Sequence, residues 1–146
     1  MIKRDLRRIK CAKELQETAN GAMIVAKAAL SPRLKDVDLL PEIYYNFLGY
    51  LKDAKLPPHQ ERRREFLFIV FYLYCPSVLI GYAMPRGFRN KLKELLHVES
   101  PSAVSNYTTD LFFLYNHYAD FREVVENAYN YIVEKMNLAS KLIYSL

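Results

Sequence analysis

The sequence predicts an all-α fold, a compact domain of several helices, and three observations predict it. Apolar residues recur at three- and four-residue intervals along much of the chain, the spacing that lines one side of a helix. Prolines stand where a helix starts, at Leu40-Pro41 and Ser100-Pro101, positions whose missing amide a first turn leaves unused anyway. Only four glycines interrupt 146 residues that are 51% hydrophobic and 25% charged, which is ample material for a core and unlike a disordered chain. That length fits one domain.

The first segment places Ile2, Leu6, Ile9, Ala12 with Lys13, and Leu15 near one face, so it reads as an amphipathic basic helix ending near Ala19. Gly21 loosens the pattern, and Ala22 to Leu30 forms a second helical stretch that stops before Ser31 and Pro32. From Leu39 to Leu51 a short helix carries Ile43, Phe47, Leu48 and Leu51 together. Leu56-Pro57-Pro58-His59 is the clearest break, because successive prolines hold extended backbone. It divides the chain into an N-terminal helical arm, 1–58, and a helical core, 59–137, followed by a tail or helix extension, 138–146.

Between Phe66 and Met84 nineteen consecutive residues carry no charge, long enough for a membrane span to be weighed. Pro76 in mid-run, Ser77, Gly81 and three tyrosines argue against insertion, and arginines on both flanks give no orientation signal. The preferred reading is a buried helix, Glu61 to Tyr74, then a short one near Ser77 to Tyr82. No membrane partner is expected.

After the turn Met84-Pro85-Arg86-Gly87, the residues Phe88, Leu92, Leu95 and Leu96 mark a helical face ending near His97. Val98 to Ser100 is a turn, and Ser100 as N-cap with Pro101 at the first position starts another helix. Val104, Thr108, Leu111 and Tyr115 line its inner side; Ser102, Ser105, Asn106 and Thr109 fall outside. The last helix, from about Asp120, gathers Phe121, Val124, Val125, Ala128, Ile132 and Met136 on a stripe that Leu142 and Ile143 extend. Such a stripe serves either the chain's own core or a partner helix in a homo-oligomer.

The formal charge of +5 is concentrated. Lys3, Arg4, Arg7, Arg8, Lys10 and Lys13 face only Asp5 up to residue 13, and Arg86, Arg89, Lys91 and Lys93 form a second basic stretch. One end of the molecule should attract polyanions. Arg62, Arg63 and Arg64 crowd a helix start, where positive charge opposes the helix dipole. Cys11 and Cys75 make neither a disulfide framework nor a zinc site, which favours a reducing, cytoplasmic setting. His59, His97 and His117 lack ligand spacing and the glycines are isolated, so no metal, no phosphate loop and no cofactor is expected. No Ser-His-Asp or Cys-His grouping shows, and the chain reads as a non-enzyme without an evident small-molecule ligand. Its twelve tyrosines are expected at half-buried positions, ring packed and hydroxyl toward water.

The order of a buried helix, a short helix, a tight turn and a capped helix with a small polar face is the layout of a helix-turn-helix. The text Leu95-Leu96-His97-Val98-Glu99-Ser100-Pro101-Ser102-Ala103-Val104-Ser105-Asn106 resembles the LLGVS…AVS passage of bacterial and phage helix-turn-helix DNA-binding proteins, a local likeness over 86–115. It departs from that pattern at Lys93, where a small residue is common, and at His97, where glycine is favoured, and its turn is longer. Histidine tolerates left-handed angles better than most residues. The resemblance implies duplex DNA as partner and a role as a transcriptional regulator or a phage packaging protein of small-terminase-subunit type. Ser102, Ser105, Asn106 and Thr109 would then touch bases, Asn106 pairing with adenine and the Thr109 methyl meeting thymine. Arg86, Arg89, Lys91 and Lys93, with Arg4, Arg7 and Arg8, would contact phosphates. The competing class is a structural or adaptor component of a larger assembly, such as a virion protein, with non-specific nucleic-acid contacts.

Overall fold

In a computed structural model the described residues are 2–17, 29–57 and 62–142, and among them all regular structure is helical, with no strand. The expected helix over Ala22 to Leu30 lies almost entirely outside them, as do His59, Glu61, Ile143 and the side chain of Leu15. Helix α1 spans Ile2–Glu17, α2 Leu40–Asp53, α3 Arg62–Tyr74, α4 Phe88–Leu96, α5 Pro101–Thr108, α6 Leu111–His117 and α7 Ala119–Lys135. Short 3-10 turns, Val37–Leu39, Pro76–Ile80 and Leu138–Ser140, join or extend them.

Helix α3 organises the rest. Every residue from Glu65 to Tyr74 is buried, so this helix is apolar all round and needs neighbours on all sides. The first half of the uncharged run weighed as a membrane span, Phe66 to Tyr74, is therefore the centre of the core, and the helix ends where Pro76 removes a donor and Cys75 leaves helical angles at φ −156°. Among the described residues no helix is long and apolar enough to cross a membrane. The 3-10 turn Pro76–Ile80 stands where a short helix was expected, and Gly81, left-handed at φ 99°, closes it.

The termination of α3 leaves the Leu73 carbonyl without a helical donor, and the amides of Arg33 and Leu34 supply it at 2.8 and 3.0 Å. The loop before α2 is thereby tied to the core. Helix α1 is tied through its buried face, Ile2, Leu6, Ile9 and Ala12, and through Asp5. Its Lys13 points outward, away from the face on which the spacing placed it with Ala12. The stretch read as an arm thus contributes to the same hydrophobic core as α3 and α7.

On α2, Ile43, Phe47 and Leu51 are buried as the spacing predicts, whereas Leu48 is 39% exposed. Helix α7 packs on α2 and α3 with Val124, Val125, Ala128 and Ile132, joined by Tyr129, whose ring meets that of Tyr72 edge-on at 5.4 Å. Val125, Ala128 and Ile132 of that stripe belong to the chain's own core, Phe121 and Met136 are partly buried against it, and Leu142 is buried with them.

Candidate functional site

Helices α4 and α5 form the local unit to which the sequence points. Phe88, Leu92 and Leu96 bury one side of α4, and Gly87 starts it with a left-handed φ of 83°. At its end the amide of His97 donates to Glu94 and that of Val98 to Lys93, the paired bonds of a Schellman motif. His97 occupies the left-handed position that glycine usually fills, at φ 54° and ψ 41°. The chain is then extended at Ser100, whose hydroxyl accepts the Ala103 amide at 3.3 Å, and Pro101 opens α5. Val104, fully buried, anchors α5 against the core.

The helix expected to run from Pro101 to Tyr115 is two helices. Thr109 is extended and Asp110 left-handed at φ 68°, which ends α5 and starts α6 in a new direction. Val104, Leu111 and Tyr115 face inward as expected and Thr108 is half-buried, but they belong to different elements. Thr108 spends its hydroxyl on the Ser105 carbonyl at 2.7 Å, a local bond that competes with helix continuation.

Of the four candidate base-contacting residues, Ser102, Asn106 and Thr109 are exposed and Ser105 is half-buried. Ser102 and Asn106 are one turn apart on α5, while Thr109 sits just beyond its end. Arg89 joins Ser105, Thr108, Thr109 and Tyr82 around a cleft of about 380 Å³ between α4 and the α5–α6 junction. Lys93, half-buried, follows Arg89 by one turn, and Arg86 is exposed in the preceding turn. Lys91 departs from this group, lining a cleft of about 330 Å³ with Asp38, Pro41 and Glu94, beside carboxylates. Arg4 and Arg7 are exposed and Arg8 half-buried on α1, which packs on the turn Pro76–Ile80.

Two features escaped the sequence reading. Arg63 donates to the Tyr107 hydroxyl at 3.0 Å, and Arg64 to the carbonyls of Tyr107 and Thr109 at 3.3 and 3.1 Å, so the arginines opening α3 hold the end of α5. Their crowding was visible in sequence, but the partner, more than forty residues away, was not. The second is an exposed ring cluster on α6 and its junction with α7, in which Phe113 lies 4.2 Å from His117 and 6.3 Å from Tyr118.

Arg62, by contrast, turns back to Glu65 at 2.8 Å within its own helix. Burial pushes the Cys75 thiol up to about 12, so this cysteine is a packed apolar group rather than a thiolate. Among the described residues no group of three or more His, Cys, Asp or Glu side chains is placed to hold a metal ion. No protein-family model, no curated protein and no solved structure matches the chain.

Proposed function

We propose that the chain is a DNA-binding protein that reads duplex DNA with α5, as a transcriptional regulator or a packaging protein of phage type. The observation that carries the reading is the pairing of two short helices through a tight, left-handed turn, the second capped by Ser100 and turning Ser102 and Asn106 to solvent. Small polar side chains with rotatable donors and acceptors suit base edges in a major groove. Arg86, Arg89 and Lys93 border the same unit and suit phosphates, the sequence-blind contacts that fix register. Arg4, Arg7 and Arg8 on α1 extend the cationic surface. Lys91, seated beside Asp38 and Glu94, contributes least.

Selection of bound duplexes from a random pool, followed by filter-binding titrations over a range of salt, tests the reading. An enriched sequence and an affinity falling steeply with salt are the expected outcome. Absence of duplex affinity even at low salt would remove it.

The ring cluster of Phe113, His117 and Tyr118 favours a second reading, a structural or adaptor component. Exposed neighbouring aromatic rings are the side chains that anchor protein contacts. A chain that enriches no sequence from the pool but sediments as a salt-resistant oligomer would support that alternative.

A further inference from the structure

Three arginines in succession at a helix start are electrostatically unfavourable unless something answers them. Arg62 is answered by Glu65, within its own helix. Arg63 and Arg64 are answered by the far end of another helix. Both guanidinium groups lie over the Tyr107 ring, at 5.5 and 5.6 Å from its centre. Arg63 also takes the Tyr107 hydroxyl, and Arg64 bridges the carbonyls of Tyr107 and Thr109. The Tyr107 carbonyl is in the negative, donor-poor last turn of α5 and the Thr109 carbonyl just beyond it, and cations there are favourable for the same reason that cations at the start of α3 are not. The positive end of one dipole and the negative end of another are joined through two side chains.

We propose that Arg63 and Arg64 are positioning residues that clamp the C-terminal end of α5 to α3 and so fix the direction in which Ser102, Asn106 and Thr109 point. The functional half of this inference rests on the DNA-binding reading. Val104 is the only residue of α5 that is fully buried, and Tyr107 is partly buried against the core, so the apolar anchorage of this helix is short. The arginines add polar contacts at the end opposite the Ser100 cap. Because both guanidinium groups are turned toward α5, their contribution to DNA is orientation of the reading face rather than contact with phosphate.

The test uses the full chain with Arg63→Lys/Arg64→Lys, which keeps both charges and loses the planar guanidinium groups, one Nη1 on the Tyr107 hydroxyl and the other shared by the two carbonyls. Hydrogen exchange at the amides of residues 104–109 is expected to accelerate about tenfold, the equivalent of one charge-assisted bond, with the amides of α7 unchanged. With duplexes from the selection, preference for the enriched sequence over a scrambled one is expected to fall while the salt dependence stays as it was. Unchanged exchange in α5 overturns the clamp. A shallower salt dependence with preference retained also overturns it, because it makes the two arginines phosphate contacts. If the unmodified chain binds no duplex, the DNA reading fails by itself, and the exchange measurement still decides the clamp.

Discussion

The hydroxyl of Tyr72 donates to Oδ2 of Asp5 at 2.5 Å, across 67 residues of sequence, and the same oxygen receives Nε of Arg33 at 3.2 Å. The Arg33 guanidinium lies 4.7 Å over the Tyr72 ring, and its Nη1 and Nη2 donate to the carbonyls of Ser31 and Ala29. All three side chains are buried, so a carboxylate, a guanidinium and a phenol satisfy one another where water is excluded. This network joins α1 to α3 beside the buried apolar face of α1. Asp5→Ala is expected to destabilise the protein by about 3–5 kcal/mol, because it leaves the buried Arg33 uncompensated. Asp5→Ala/Arg33→Met should recover most of that loss. Urea unfolding of both variants checks it; additive losses in the double variant would dismiss the coupling.

Stability should fall on the alkaline side. Burial raises the Cys75 thiol from 9.0 to about 12, and burial first, then the hydrogen bond to Asp5, raises the Tyr72 phenol above its ordinary 10.0. Burial likewise raises Tyr74, and burial followed by the bond to Glu126 raises Tyr115. Each folded value exceeds the unfolded one, so each contribution is fully present below the ordinary value and is lost as pH rises through the folded one. Unfolding free energy is expected to hold up to pH 9 and then decline, with the tyrosinate absorbance of the buried rings appearing together with unfolding. Ionisation of all twelve tyrosines in a chain that stays folded would contradict this.

His97→Gly should stabilise the chain by up to about 1 kcal/mol, because glycine adopts the left-handed angles at the end of α4 without a Cβ penalty. The gain is offset by the greater freedom of the unfolded glycine. Thermal unfolding measures the net. A loss above about 1 kcal/mol would show that the imidazole itself is held by contacts that the backbone angles do not explain.

On the DNA reading, Asn106→Ala and Arg89→Ala separate base contact from phosphate contact. The first is expected to relax preference at one base pair by about 1–3 kcal/mol. The second should weaken all duplexes alike and lower the salt slope by about 1. Equal, sequence-independent losses in both would remove Asn106 from base reading.

Much of the helical order was legible because the relevant forces are local. Ser100-Pro101 announced the start of α5, and the spacing of Phe88, Leu92 and Leu96 announced the buried face of α4, since capping and 3.6-residue periodicity are written within a few neighbouring residues. The break at Thr109 and Asp110 was not legible, because no proline or glycine marks it. It depends on a left-handed aspartate and on Arg64, 45 residues away, donating to the Thr109 carbonyl. The arginine contacts with Tyr107 were hidden for the same reason, joining distant segments, whereas spacing put Leu142 on the last stripe and left open whether the chain's own core or a partner covers it. Lys91 and Arg89 looked alike in sequence and separate only because Asp38 and Glu94 border one of them.

The absence of any water-facing side on α3 has a consequence for the life of the chain outside its native state. A segment reading Phe-Leu-Phe-Ile-Val-Phe-Tyr-Leu-Tyr has no soluble way to exist alone, and rich in β-branched and aromatic residues it can pair as readily with copies of itself as with α2 and α7. Heating that loosens α7 should therefore end in precipitation rather than in reversible melting, so that the chain's endurance is set by a rate of opening rather than by an equilibrium.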